Sequence, residues 1–402
     1  MNIPVLMYHS VSDDPQWLWG HMSCPVNVFE EHVHALVNAG FNTISLQELY
    51  DFSVRQTSLP PNPVVLTFDD GYLDNWVYVF PILKRYKCKG TIFVNPDFVD
   101  PSDILRPTLD DVATGRVMAS SLQSKGFASW SELAVMDASG VMDVQSHALT
   151  HTWYFCDNQI LDFHHPGDRY PWLAWNVRPE RKYLWLNKDQ SSFVPWGTPI
   201  YTHRKSLTTR RYFPDAELGQ CLVEYVQSQG STAFFQQESW ANILQEKSKQ
   251  YRDQYPLQDN MESESEYQDR VQYELGTSKE IIQSRLHKKV NFLCWPGGGH
   301  NETTERIARQ VGYFSMLYSP GSPPQPRQDL SHLPRVSVPT WGPLRGRTLY
   351  RSGRYLVYLL RYRQGSIWHR LGCKVLTGYE VTLFRAKQWI TSLKSNLIHN
   401  TR

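Results

Sequence analysis

Apolar and polar positions along this chain fall into a few distinct patterns, and two of them end in chemistry. Pro63 to Phe68 is an apolar run interrupted only by Thr67, the pattern of a strand buried on both faces, and it stops abruptly at Asp69-Asp70-Gly71. Charges delivered at the C-terminal end of a buried strand lie where α/β barrels keep their active sites. Val141 to Gln145 is a second strand-like run, followed by Ser146-His147-Ala148-Leu149-Thr150-His151. If the chain turns helical there, the spacing of four projects both imidazoles from one face. Ala216 to Lys249 predicts helix, and the polar stretch Gln250 to Glu266 predicts an exposed connection. Phe163 to Trp172 and Phe193 to Tyr201 are too rich in proline for regular helix or inner strand and predict ordered loops packed by their aromatics.

Composition narrows the class. A chain of 402 residues exceeds one ordinary domain, yet barrels reach that length with insertions. A net charge of +2 gives no whole-protein nucleic-acid footprint, no nucleic-acid-binding motif is present, and nucleic acid is not expected as a partner. Cys24, Cys88, Cys156, Cys221, Cys294 and Cys373 are scattered without a Cys-x-x-Cys pair and predict reduced, mostly buried thiols. With a first strand expected from Ile3, no signal peptide is expected, and no stretch is long enough to span a bilayer. The expected location is the cytoplasm.

The chemistry resides in Asp69, Asp70, His147 and His151. Adjacent aspartates point different ways, so one can bind a cation while the other faces the water it holds. Two histidines and one carboxylate leave positions open for water and substrate, the pattern of a catalytic rather than a structural metal site.

These words, in order with several others, resemble the polysaccharide deacetylases of the carbohydrate esterase 4 (NodB-homology) type. Ile3-Pro4-Val5-Leu6-Met7-Tyr8-His9-Ser10-Val11 resembles the opening strand of one branch, and Phe29 to Leu49 the helix and strand that follow it. Gly90 to Val94 resembles the next strand, Glu274 to Lys279 the late helix, and Val290 to Gly298 the late strand end. The resemblance covers about residues 1–151 and 264–340. It implies a distorted (β/α) barrel of about seven to eight parallel strands. It further implies that Asp69 is the general base, that Asp70, His147 and His151 hold a divalent metal (zinc first, with nickel, cobalt or iron as alternatives), and that His9 is the general acid. Where the family carries an Arg-x-Pro-Tyr type word, this chain has Cys294-Trp295-Pro296-Gly297, without that arginine or tyrosine. Trp295, Pro296 and Gly297 remain the expected substrate or oxyanion contacts, and Arg335 is the candidate to replace the missing cation beside Asp69.

The organisation expected is a barrel formed by 1–151 and 264–341, an insertion at 152–263 over the active-site mouth, and a basic C-terminal segment at 342–402. In the insertion, aromatic rings are suited to sugar faces, Asp168 or Arg169 to polar groups, and His164 and His165 to adding metal ligands. From Arg345 onward nearly every charge is positive: Arg347, Arg351, Arg354, Arg361, Arg363, Arg370, Lys374, Arg385, Lys387 and Lys394 stand against Glu380, interleaved with tyrosines and leucines at helical spacings. Such a helix either lies on an anionic membrane, here on its inner face, or covers the end of the barrel. The implied function is metal-dependent removal of an N-acetyl group from an amino sugar of a polysaccharide or a lipid-linked glycan precursor. The alternatives are a deformylase or other N-deacylase of a lipid-linked amino sugar, and a non-catalytic glycan-binding module.

Overall fold

The computed structural model describes residues 3–14, 17–18, 22–318, 333–337, 340–344 and 347–399. Residues 319–332, which fall within the second stretch of resemblance, Arg345, and the side chains of Arg347 and Lys394 lie outside it. A parallel sheet curls into a nearly closed barrel in the order Leu333–Pro334, Ser315–Tyr318, Phe292–Cys294, Met142–Ser146, Gly90–Val94, Pro63–Phe68, Val5–Tyr8, Val336–Ser337. The apolar run behaves as its pattern predicts, since every residue of Pro63–Phe68 is buried.

The closure is made by the chain itself. Leu333 pairs with Leu317 on one edge, Val336 pairs with Leu6 on the other, and only Arg335 separates the two short strands. Parallel register then brings the strand ends to one level: Tyr8 lies beside Phe68, Val94 beside Ser146, and Ser146 beside Leu293. The residues just past those ends, among them His9, Asp69 and His147, therefore form one ring at the C-terminal mouth.

The insertion is more regular than its prolines suggest. Trp153–Phe163 and Pro199–Lys205 form an antiparallel two-stranded sheet separate from the barrel, so Pro199 to Tyr201 belong to a strand rather than a loop. Proline is tolerated there because it opens the strand, where no inner ladder needs its N–H. The helix expected over Ala216–Lys249 is two, Ala216–Ser228 and Trp240–Gln254, divided where Gly230 adopts φ +93°. Helix Trp240–Gln254 also takes the first residues of the expected polar connection.

The first of the two helices in the basic tail fits the covering reading. Helix Gly353–Arg363 covers the barrel: Leu356 and Leu360 are fully buried in the main core, and Arg361 reaches Asn62 Oδ1 (2.7 Å) and the Ala39 carbonyl (3.0 Å). Each buried leucine stabilises that docking by about 1.5–3 kcal/mol. Arg351, just before it, is buried and pairs with Glu380 of the next helix, Ile367–His399, while its carbonyl accepts from His32 Nε2 at 2.7 Å. The contact is tight at Gly353, where a Cβ would sit 2.6 Å from Ala35 Cβ and 2.7 Å from the Glu31 carbonyl oxygen. Gly353→Ala should therefore lower stability by about 1–3 kcal/mol in urea melts. An unchanged midpoint would show that this helix is not held against the barrel.

Candidate active site

Asp69 and Asp70 leave their strand in different directions, as neighbours must. Asp69 is buried, and Arg335 grips it in a bidentate fork, Nη1 to Oδ1 at 2.7 Å and Nη2 to Oδ2 at 2.8 Å. Arg335 also donates to Thr67 Oγ1 at 3.3 Å. Coming from the seam of the barrel, it stands where the missing family arginine would be needed. Burial pushes the Asp69 carboxyl up, but the Arg335 guanidinium, with His147 and His9, outweighs it and holds the group below its ordinary value. His9 Nε2 lies 3.8 Å from Asp69 Oδ2, and the His9 carbonyl is fixed by Asn75 at 3.0 Å. Burial lowers the pKa of His9, opposed by Asp69.

Asp70 faces the histidines. Its Oδ1 lies 3.2 Å from His147 Nε2 and 3.5 Å from His151 Nε2, yet it is buried without a hydrogen-bond partner. His147 Nδ1 donates to the Cys294 carbonyl at 2.8 Å, which turns Nε2 toward Asp70. Burial pulls His151 down to about 4, so its ring is neutral at physiological pH. The Asp70 oxygen and the two imidazole nitrogens converge closely enough to share one cation, and these three residues would hold it.

Asp69, His147 and Cys294 also lie close enough together to form a ligand set. That set is the poorer one for a dication, because Arg335 already neutralises Asp69 and burial pushes the Cys294 thiol up toward its protonated form.

The histidines do not meet on a helix. The chain after Met142–Ser146 stays irregular, and Ala148 and His151 adopt left-handed φ of +59° and +43°. Asp70 does the same at +73°. Such backbone costs on the order of 1–3 kcal/mol per residue and persists only where neighbours over-determine it. Asn95 donates to the His147 carbonyl and, at 3.3 Å, to that of Ala148. Buried Glu274, from helix Glu264–Leu286, accepts from Thr150 Oγ1 at 2.6 Å. Buried Lys182, from the insertion, donates to the Thr150 carbonyl at 3.1 Å and to Asp97 at 2.8 Å. Sequence reasoning gave none of these three a role, and only Glu274 stood inside a quoted segment.

Other expected contacts are corrected. Trp295 is fully buried in the core and its backbone N–H donates to the Leu317 carbonyl at 3.3 Å, so it is taken up by the fold. Pro296 has no N–H to offer. Gly297 is exposed at φ +51° with its carbonyl held by Lys205, and Pro296 and Gly299 share a cleft with His151. His164 is bound to Asp168 at 2.5 Å and to the Ser191 carbonyl at 2.9 Å, and stacks on Trp196, so neither it nor Asp168 serves the site. His165 packs on Trp240, and it stands in no metal-ligand cluster among the described residues. The insertion's Trp153 does reach the site, its ring 5.9 Å from that of His151.

The sequence profile of the polysaccharide deacetylase family matches residues 56–190 and 244–315, more than half of the chain and all the Asp70, His147 and His151 positions. The chain belongs to the polysaccharide deacetylase family. Enzymes of this family depend on a metal, and the Asp–His–His cluster is the candidate to hold it. YxkH of Bacillus subtilis (strain 168), whose name gives it a provisional place in the same family, is 35% identical over 92 residues, 23% of this chain and 31% of YxkH. The poly-beta-1,6-N-acetyl-D-glucosamine N-deacetylase of Escherichia coli (strain K12) is 25% identical over 148 residues, 37% of this chain and 20% of that enzyme. These matches span under a third of either relative. A de-N-acetylase from Aggregatibacter actinomycetemcomitans shares the fold, with a TM-score of 0.52 at 19% identity over 84% of this chain and 94% of that one.

Proposed function

We propose that this polysaccharide deacetylase family member is a metal-dependent hydrolase that removes the N-acetyl group from an amino sugar of a polysaccharide or a lipid-linked glycan precursor. The observation that carries the reading is the pairing of two unlike carboxylates: Asp70 turned to two imidazoles, and Asp69 held ionised by Arg335 and outside the Asp70–His147–His151 cluster. Zinc suits this donor set best, with two neutral nitrogens and one carboxylate oxygen. When bound, the cation would polarise the amide carbonyl and acidify a water.

The chain's residues do the rest. Asp69 takes a proton from the attacking water as its oxygen bonds to the carbonyl carbon. The Gly297 backbone, beside Lys205, is the candidate to bring an N–H to the developing oxyanion. His9, on the Asp69 carboxylate, gives a proton to the sugar nitrogen as the C–N bond breaks, so that acetate and a free amine leave. The E. coli relative's name, an N-deacetylase of poly-beta-1,6-N-acetyl-D-glucosamine, makes oligomers of that sugar the first substrates to try.

Zinc-loaded protein should release acetate and free amine in equal amounts from such oligomers, and chelation should stop both. Binding without release would contradict the reading. Arg335→Met should lower kcat by about tenfold or more and leave KM nearly unchanged, because Arg335 acts through Asp69 rather than on substrate. It should also cost roughly 3–5 kcal/mol of stability by leaving a buried charge uncompensated. A kcat within twofold of the native value would remove Arg335 from the active-site account.

A further inference from the structure

We propose that the outward face of helix Ile367–His399 is an interfacial anchor that lies in the headgroup layer of an anionic lipid leaflet. Ile367, Trp368, Leu371, Val375, Tyr379 and Trp389 are exposed, Trp368 by 84% and Trp389 by 64%. The i, i+3, i+4 spacing of Trp368, Leu371, Val375 and Tyr379 sets them on one stripe. The stripe cannot turn inward, because the opposite side of the helix is pinned: Cys373 is buried, and Thr377 and Glu380 are bonded to Arg351. Single exposed apolar residues are ordinary, but a row of them with tryptophan near each end of the described stripe marks a contact surface.

Charge selects the occupant. Arg370, Lys374, Arg385 and Lys387 are exposed along the same helix, and its acid, Glu380, is turned to Arg351. An anionic leaflet complements that arrangement, with apolar side chains entering the acyl boundary and cations remaining among the headgroups. A second copy of the chain would bring the same positive charges face to face. Among the described residues no helix is long and apolar enough to cross a membrane, so the helix would lie along the surface. The docked helix Gly353–Arg363 takes no part in this contact, and the proposal stands or falls separately from the hydrolytic reading.

The test is co-sedimentation of the full chain with phosphatidylcholine vesicles containing graded phosphatidylglycerol. Binding should rise with phosphatidylglycerol and fall with salt. Lys374→Glu with Arg385→Glu should weaken it by at least about thirtyfold at low salt. Trp368→Ser with Trp389→Ser should weaken it about tenfold or more. Neither pair should move the melting temperature, since these side chains lie on the exposed face. Binding that ignores lipid charge, or that both variant pairs leave intact, would overturn the proposal. So would a lipid-free dimer dissolved by the tryptophan pair, or salt-sensitive binding to single-stranded nucleic acid in place of vesicles.

Discussion

Alanine at Asp70, His147 or His151 is expected to empty the metal site and abolish turnover, whichever of the three is changed. A site with only three protein ligands has no redundancy, and loss of even an outer-shell partner typically costs 10–100-fold in metal affinity. Each variant should therefore bind zinc more than about a hundredfold more weakly in a competition titration. Cys294→Ser is the informative control, because Cys294 belongs to the competing cluster with Asp69 and His147. It should keep its metal, because the Asp70 set does not include the thiol and the Cys294 contact to His147 is through the backbone carbonyl. Full zinc occupancy in purified His147→Ala would reject both clusters, since His147 belongs to each.

The second large effect separates the aspartates. Asp69→Asn should retain the metal and lose about 10²–10⁴ in kcat, the usual contribution of a positioned general base, because an amide cannot take the water's proton at neutral pH. The amide oxygen still accepts from Arg335, so the geometry of the fork is partly kept. Thermal melts run beside the kinetics separate lost chemistry from lost folding. Release of metal by Asp69→Asn would mean that the roles of the two aspartates are reversed. His9→Gln should behave alike, with metal kept and rate lost.

How much of this was legible in the chain depends on how local the cause is. The strand Pro63–Phe68 and its acids are written in consecutive residues, so both the buried strand and the placement of Asp69 at the mouth follow from sequence. The histidine pair was legible as a pair but not as a conformation. A spacing of four serves a helical turn or a left-handed loop equally well, and the loop here is decided by Asn95, Glu274 and Lys182, which come from three other segments. Arg335 could be suspected only by elimination, because it meets Asp69 through closure of the barrel, 266 positions along the chain. Trp295 misled because a substrate contact and a core tryptophan beside a strand end look alike in sequence, and burial separates them. The tail left two readings open. Its basic and aromatic positions describe two helices, one docked through Leu356 and Leu360 and one exposing Trp368 and Trp389. Composition alone gives the sum of the two.

The central claim is that one catalytic metal sits between Asp70, His147 and His151, with Asp69 kept apart by Arg335. An anomalous difference map from zinc-soaked crystals of the full chain, collected at the zinc edge, tests it most directly. The account predicts one strong peak about 2.0–2.2 Å from an Asp70 oxygen and from Nε2 of both histidines, with the Arg335 fork on Asp69 intact. A peak coordinated by Asp69 or by Cys294 Sγ, or a site left empty at saturating zinc, would contradict it.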